Sequence, residues 1–105
     1  MSHSLDATAT TLVNVLTCNR SDQAALLQLL RENVDGVIVT LDGWCSTSLV
    51  AAEDGTRVII VSQWRDVGSV RAMQNDARMK AYFPRIAALA TFDSVAGTVV
   101  HARGA

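Results

Sequence analysis

WCSTSLVAAEDGTRVIIVSQW, residues 44–64, carries the strongest local instruction in the chain. Its two halves are rich in β-branched and aromatic residues, and Asp54-Gly55 lies between them. Two such runs around Asp-Gly read as a β-hairpin whose two central residues form a type I′ turn. In that register Cys45 faces Trp64, Thr47 faces Ser62, Leu49 faces Ile60 and Ala51 faces Val58. Side chains alternate across a strand. One face of the hairpin therefore carries Ile60, Ser62 and Trp64, and the other carries Ser48, Val50, Ile59 and Val61.

Upstream, TTLVNVLTC (10–18) reads as a first strand, with Leu12, Asn14 and Leu16 on one face and Val13 and Val15 on the other. Ser21 is an expected N-cap with Asp22 in the first turn. Leu26, Leu30, Val34, Val37, Ile38 and Leu41 then recur at helical spacing, with the helix end blurred by Gly36. Asp42-Gly43 marks the turn into the hairpin. Downstream, Asp66 caps a helix whose inner face is Val67, Val70 and Met73. The stripe resumes after Asp76 with Met79, Phe83, Ile86 and Leu89, and Pro84 predicts a kink or break there. FDSVAGTVVH (92–101) reads as the last strand, with a bulge expected at Gly97.

The order is β-α-β-β-α-β, a ferredoxin-like α+β fold with a four-stranded antiparallel sheet. Residues 1–9 read as a flexible tail and 10–105 as one domain. Both sheet faces are apolar, whereas an antiparallel sheet ordinarily keeps one face wet. Two helices cover one face, and a second copy of the chain is the simplest cover for the other, so a homodimer is expected.

Composition narrows the function. Half of the 105 residues are hydrophobic, 18% are charged and the formal net charge is −1, which argues against disorder and against a nucleic-acid partner. Apolar runs reach only four or five residues, so no membrane span is expected. No basic segment precedes an apolar one at the N-terminus, and a cytoplasmic location is expected by default. Cys18 and Cys45 form no CxxC pair and read as buried, reduced thiols. His3 and His101 lie at opposite ends without metal-ligand partners, so no metal is expected.

No Ser-His-Asp set, phosphate loop or carboxylate pair is present. What stands out is polarity lodged among apolar residues. Asn14, between Leu12 and Leu16, is costly if buried without partners. It reads either as an amide bonded to nearby backbone or as a pocket amide that binds a substrate oxygen. Trp64 reads most simply as a core aromatic; as a pocket wall it offers a flat apolar face and one N–H donor. Tyr82 and Arg78 can face a pocket or solvent, Trp44 reads as packing or interface, and His101 as an exposed strand end.

The strand LVNVLT (12–17), the segment DGWCSTSLVAAEDGTRVIIVSQW (42–64) and the helix entered through RDVGSV (65–70) resemble the antibiotic-biosynthesis monooxygenases of the dimeric α+β barrel superfamily. The resemblance runs from Thr11 to about Val100. It implies a homodimeric barrel that oxidises a small aromatic, anthrone- or quinol-like substrate with dioxygen and no cofactor. Asn14 matches the family's first-strand asparagine and Trp64 its third-strand tryptophan, so these two are the expected catalytic residues. Ser62, Ile60, Tyr82 and Phe83 are the expected substrate-contacting residues. A further family asparagine, four residues before the tryptophan, is here Ile60. The haem-degrading branch carries a helix histidine, and the corresponding KAYFPRI (80–86) has none. The other readings are a non-catalytic, stress-associated binding module that kept the fold, and an isomerase or cyclase that turns over substrate without consuming oxygen.

Overall fold

The computed structural model describes residues 5–104; His3 lies outside them. Four strands, β1 (Thr10–Cys18), β2 (Trp44–Ala51), β3 (Arg57–Trp64) and β4 (Ala90–Thr98), form one antiparallel sheet in the order β2-β3-β1-β4. Three helices, α1 (Gln23–Gly36), α2 (Val67–Asn75) and α3 (Ala77–Ala87), pack on one face. This is the ferredoxin-like arrangement. Among the described residues no helix is long and apolar enough to cross a membrane.

The hairpin register holds where the alternation is regular: Thr47 pairs with Ser62, Leu49 with Ile60 and Ala51 with Val58. It shifts at Cys45, which is bulged out, so Trp44 rather than Cys45 faces Trp64. Cys45 is exposed and Cys18 half-buried, which corrects the expectation of two buried thiols. The turn also differs from type I′. Gly55 has φ +78 and, among the described residues, none other than glycine has positive φ, so Asp54 does not take the left-handed place that type I′ demands. Instead Gly55 N–H donates to the Ala52 carbonyl, and Ala52 N–H to the Arg57 carbonyl, closing a longer loop over the same register.

Asp54 holds that loop. Its carboxylate accepts from the hydroxyl and the backbone N–H of Thr56 and from Arg57, and these bonds press its pKa down to about 2. An unfolded aspartate titrates near 3.9. The folded value is depressed, so the contribution is present above about pH 4 and is lost as pH falls toward 2. Asp54→Asn is expected to flatten this part of the stability–pH curve, read by urea midpoints from pH 5 to 2. A slope equal to that of the wild type would remove the assignment.

Helix α1 buries Leu26, Leu29, Leu30 and Asn33 and stops at Gly36; Val37 is buried beyond it, and Ile38–Thr40 forms a short 3-10 turn. The residue at its N-cap is Asp22, without a side-chain cap bond, and Ser21 lies in a preceding 3-10 turn. The expected break at Pro84 falls instead at Asp76, whose extended backbone ends α2 and whose carboxylate caps α3 through Arg78 N–H and Met79 N–H at 2.8 and 3.2 Å. Pro84 lies within α3 on its exposed side, where water can take up the carbonyl left without a donor. Strand β4 starts earlier than expected and stays in register with Gly97 opposite Thr11, without a bulge. Of the presumed tail, Ala9 is buried and Asp6 exchanges hydrogen bonds with the Gln63 side chain at 2.9 Å, so the residues just before β1 are tied to the sheet.

The core has two parts. Leu16, Leu26, Leu29, Leu30, Val58 and Ile86 form one, near the hairpin end. Leu12, Val37, Trp64, Val70, Met73 and Met79 form the other. Gly43 supports the second part. It has φ +84, and a Cβ there would collide with Ser69 Oγ beneath it. Gly43→Ala is expected to destabilise by about 1–3 kcal/mol, the range for a side chain forced into the left-handed region. A lower urea midpoint at unchanged slope is the readout.

Candidate functional site

Between the two core parts the sheet and the helices leave a half-enclosed cavity of about 90 Å³. Strand alternation sets its floor. Leu12, Asn14 and Leu16 of β1 and Ile60, Ser62 and Trp64 of β3 all point toward the helices. The wall above is made by Leu30 and Asn33 of α1, Met73 of α2, and Met79, Phe83 and Ile86 of α3. Ile38 of the 3-10 turn, Thr47 of β2 and the half-exposed Phe92 of β4 complete it. Among the described residues no charged side chain lines the cavity. Among the described residues, no three His, Cys, Asp or Glu side chains gather as a metal set.

Asn14, Trp64, Ser62, Ile60 and Phe83 are thus brought together. Tyr82 is not. It packs against both core parts, with the Arg85 guanidinium 5.0 Å over its ring. A helix turns by about 100° per residue, so Phe83 points to the cavity while Tyr82 is directed about 100° away from it. Arg78 is exposed beside Asp76, and His101 is exposed beyond β4. Burial, followed by the charges of Asp22 and Asp54, pushes the Cys18 thiol up, which disfavours the reactive thiolate.

The hydrogen bonds assign roles within the cavity. Asn14 pairs with Ile60 on one side and Ser94 on the other. The Ser94 hydroxyl donates to Asn14 Oδ1, so the Nδ2 hydrogens are the donors that Asn14 has left to offer. Trp64 is 1% exposed, and its indole N–H donates to Ser62 Oγ at 3.1 Å. The expected free indole donor is therefore engaged, and Trp64 acts as a wall that orients Ser62. Trp44 does the same for a second hydroxyl, donating to Thr47 Oγ1 at 2.9 Å. Each hydroxyl accepts from an indole and retains its own O–H to donate. Thr47 and Asn33 were missed at the sequence level. Thr47 was legible as the cross-strand partner of Ser62. Asn33 sits at helical spacing from Leu26, Leu29 and Leu30.

A sheet roofed by helices over an apolar cavity with a few amide and hydroxyl groups defines a ferredoxin-like α+β domain with a pocket of small-molecule size. The family model described as antibiotic biosynthesis monooxygenase matches residues 10–85, and the chain belongs to that family. SnoaB, a cofactor-independent oxygenase from Streptomyces nogalater, is similar at 17% identity and TM-score 0.82, over 90% of this chain and 96% of that one. A monooxygenase from the gene ActVA-Orf6 of Streptomyces coelicolor, crystallised with the ligand nanaomycin D, is similar at 23% identity and TM-score 0.80, over 94% and 91%. At these identities the likeness speaks to the fold. None of the curated proteins matches the chain.

Proposed function

We propose that the chain is a cofactor-independent monooxygenase that oxidises a small aromatic, anthrone- or quinol-like substrate with dioxygen. The observation that carries this reading is the convergence of Asn14, Ser62 and Thr47, three side chains that carry an N–H or O–H donor, on one apolar cavity walled by Trp64. In such a cavity fixed donors stabilise a developing oxyanion without reorganising solvent. The substrate supplies the electrons. An anthrone loses a proton to give its enolate, and the enolate carbon forms a C–O bond to dioxygen. Protonation gives a hydroperoxide. Its O–O bond then breaks as the remaining C–H proton leaves, yielding a quinone carbonyl and one water. One oxygen atom enters the product and the other is reduced to water. The chain's own part is to hold the ring, exclude water and donate to the enolate oxygen.

Size bears on the substrate. An apolar cavity of about 150 Å³ holds benzene. The 90 Å³ here is smaller and open on one side, so a ring fills it only in part and extends past Phe92 at the rim. Oxygen uptake with anthrone and quinol substrates in air tests the proposal. Uptake no faster than the spontaneous reaction across the panel removes it. Product formation without oxygen uptake points instead to an isomerase or cyclase. Ile60, directly across from Asn14, favours the second reading, a binding module without turnover. Ligand binding with neither oxygen uptake nor product selects it.

The homodimer belongs to this proposal. Val13, Val15, Ile59 and Val61 lie on the face away from the helices, joined by Val50 and by Val95, which is 63% exposed. A second copy covering that face would close the barrel. Sedimentation is expected at twice the chain mass for the wild type and at the chain mass for Val95→Glu. A monomeric wild type overturns the pairing.

A further inference from the structure

Among the described residues, Asn33 is the one polar side chain that the helices contribute to the cavity. It is 2% exposed, and its Nδ2 donates to Met79 Sδ at 3.3 Å. Its Oδ1 accepts no side-chain or backbone bond among the described residues, yet no enclosed side-chain oxygen there is left without a partner. Both statements hold together if Oδ1 keeps accessible surface, and the cavity is the space that Asn33 lines. The opposite amide orientation would set the carbonyl oxygen against the sulfur lone pairs, so Met79 decides which end faces the ligand. The sheet side thus offers donors and the helix side an acceptor. Donors suit an oxyanion, and an acceptor suits a neutral hydroxyl.

We propose that Asn33 is a specificity-determining residue: its Oδ1 accepts the hydrogen of a second substrate hydroxyl while Asn14, Ser62 and Thr47 hold the reacting oxygen. The inference rests on the monooxygenase reading for the nature of the ring. The ligand so defined is the mono-anion of a ring with oxygens on opposite edges, in its simplest form a 1,4-dihydroxyarene, whose C–H carbon beside the oxyanion is then the one that bonds dioxygen. A ring with an apolar group at the second position covers Oδ1 without bonding it and leaves an acceptor unmet.

Calorimetric titration without dioxygen tests this, with hydroquinone and 4-methylphenol as probes of nearly equal shape. The wild type is expected to bind hydroquinone about tenfold more tightly, a difference of the size one unmet buried acceptor produces. Asn33→Leu, similar in volume, is expected to abolish that preference by weakening hydroquinone alone. Equal binding of the two probes to the wild type overturns the inference, as does a preference that survives in Asn33→Leu. The wild-type comparison decides the matter even if the variant does not fold. If neither probe binds, the role of Asn33 is overturned, while oxygen uptake with anthrone separately decides the monooxygenase reading.

Discussion

Asn14→Ala is expected to lower the rate of substrate oxidation by about 10²–10³-fold, the loss seen when one preorganised oxyanion donor is removed from an active site. The physical reason is local. Asn14 stands on the central strand β1, between β3 and β4, where neither neighbour can move to replace it. Directly across lies Ile60, which offers no donor. Removal of the amide leaves the enolate oxygen with the two hydroxyls alone. Binding should change less than turnover, because the bond strengthens as charge develops. Oxygen uptake at saturating substrate, together with a binding titration, separates the two. Ser94→Ala provides the companion measurement. It frees Asn14 Oδ1 to rotate and should lower turnover by a smaller factor, with ring binding kept. Equal losses in kcat and affinity for Asn14→Ala would mark the residue as a plain binding contact.

Trp64→Ala is the largest expected loss of stability. The side chain is 1% exposed and is the largest member of the second core part, in contact with elements from β1 to α3. Large-to-small substitution of a buried tryptophan costs about 3–5 kcal/mol. A domain has only about 5–15 kcal/mol in total, so a third or more of the margin is at stake. Urea unfolding measures this directly. Trp64→Phe separates packing from hydrogen bonding. It keeps most of the apolar surface and removes the N–H that orients Ser62. That variant should lose less stability than Trp64→Ala and still show slower oxidation, because the Ser62 hydroxyl is no longer held. A phenylalanine variant with unaltered turnover would show that the Trp64–Ser62 bond serves packing only.

Much of the fold was legible because it is written in near neighbours. Asp54-Gly55 between two β-branched runs specifies a hairpin, and the period of two specifies which residues share a face. The same alternation places Asn14 with Ile60, Ser62 and Trp64 on one face. The errors share a cause. Cys45 was expected opposite Trp64, but a single bulge moved Trp44 there and brought its indole to Thr47. Pro84 was read as the break, but Asp76 supplies a cap for a fresh helix and Pro84 supplies none. On α1 a stripe through Val34 and a stripe through Asn33 have equally good helical spacing. Hydrophobicity favoured valine, whereas packing turned the amide inward, to Met79 on α3.

The sequence by itself determined the β-α-β-β-α-β order, the hairpin register beyond the bulge, which residues of each central strand share a face and the resemblance that the family match bears out. These follow from local preferences and strict periods, which act over a few residues. The tertiary structure alone decided that a cavity lies between the two core parts, that Thr47 and Asn33 line it while Tyr82 does not, and that Trp64's N–H is given to Ser62. Helix rotation and bulge position set those features. Both are fixed by contacts between distant elements, where a rotation of one helix residue or a slip of one strand residue exchanges the buried side chain for its neighbour.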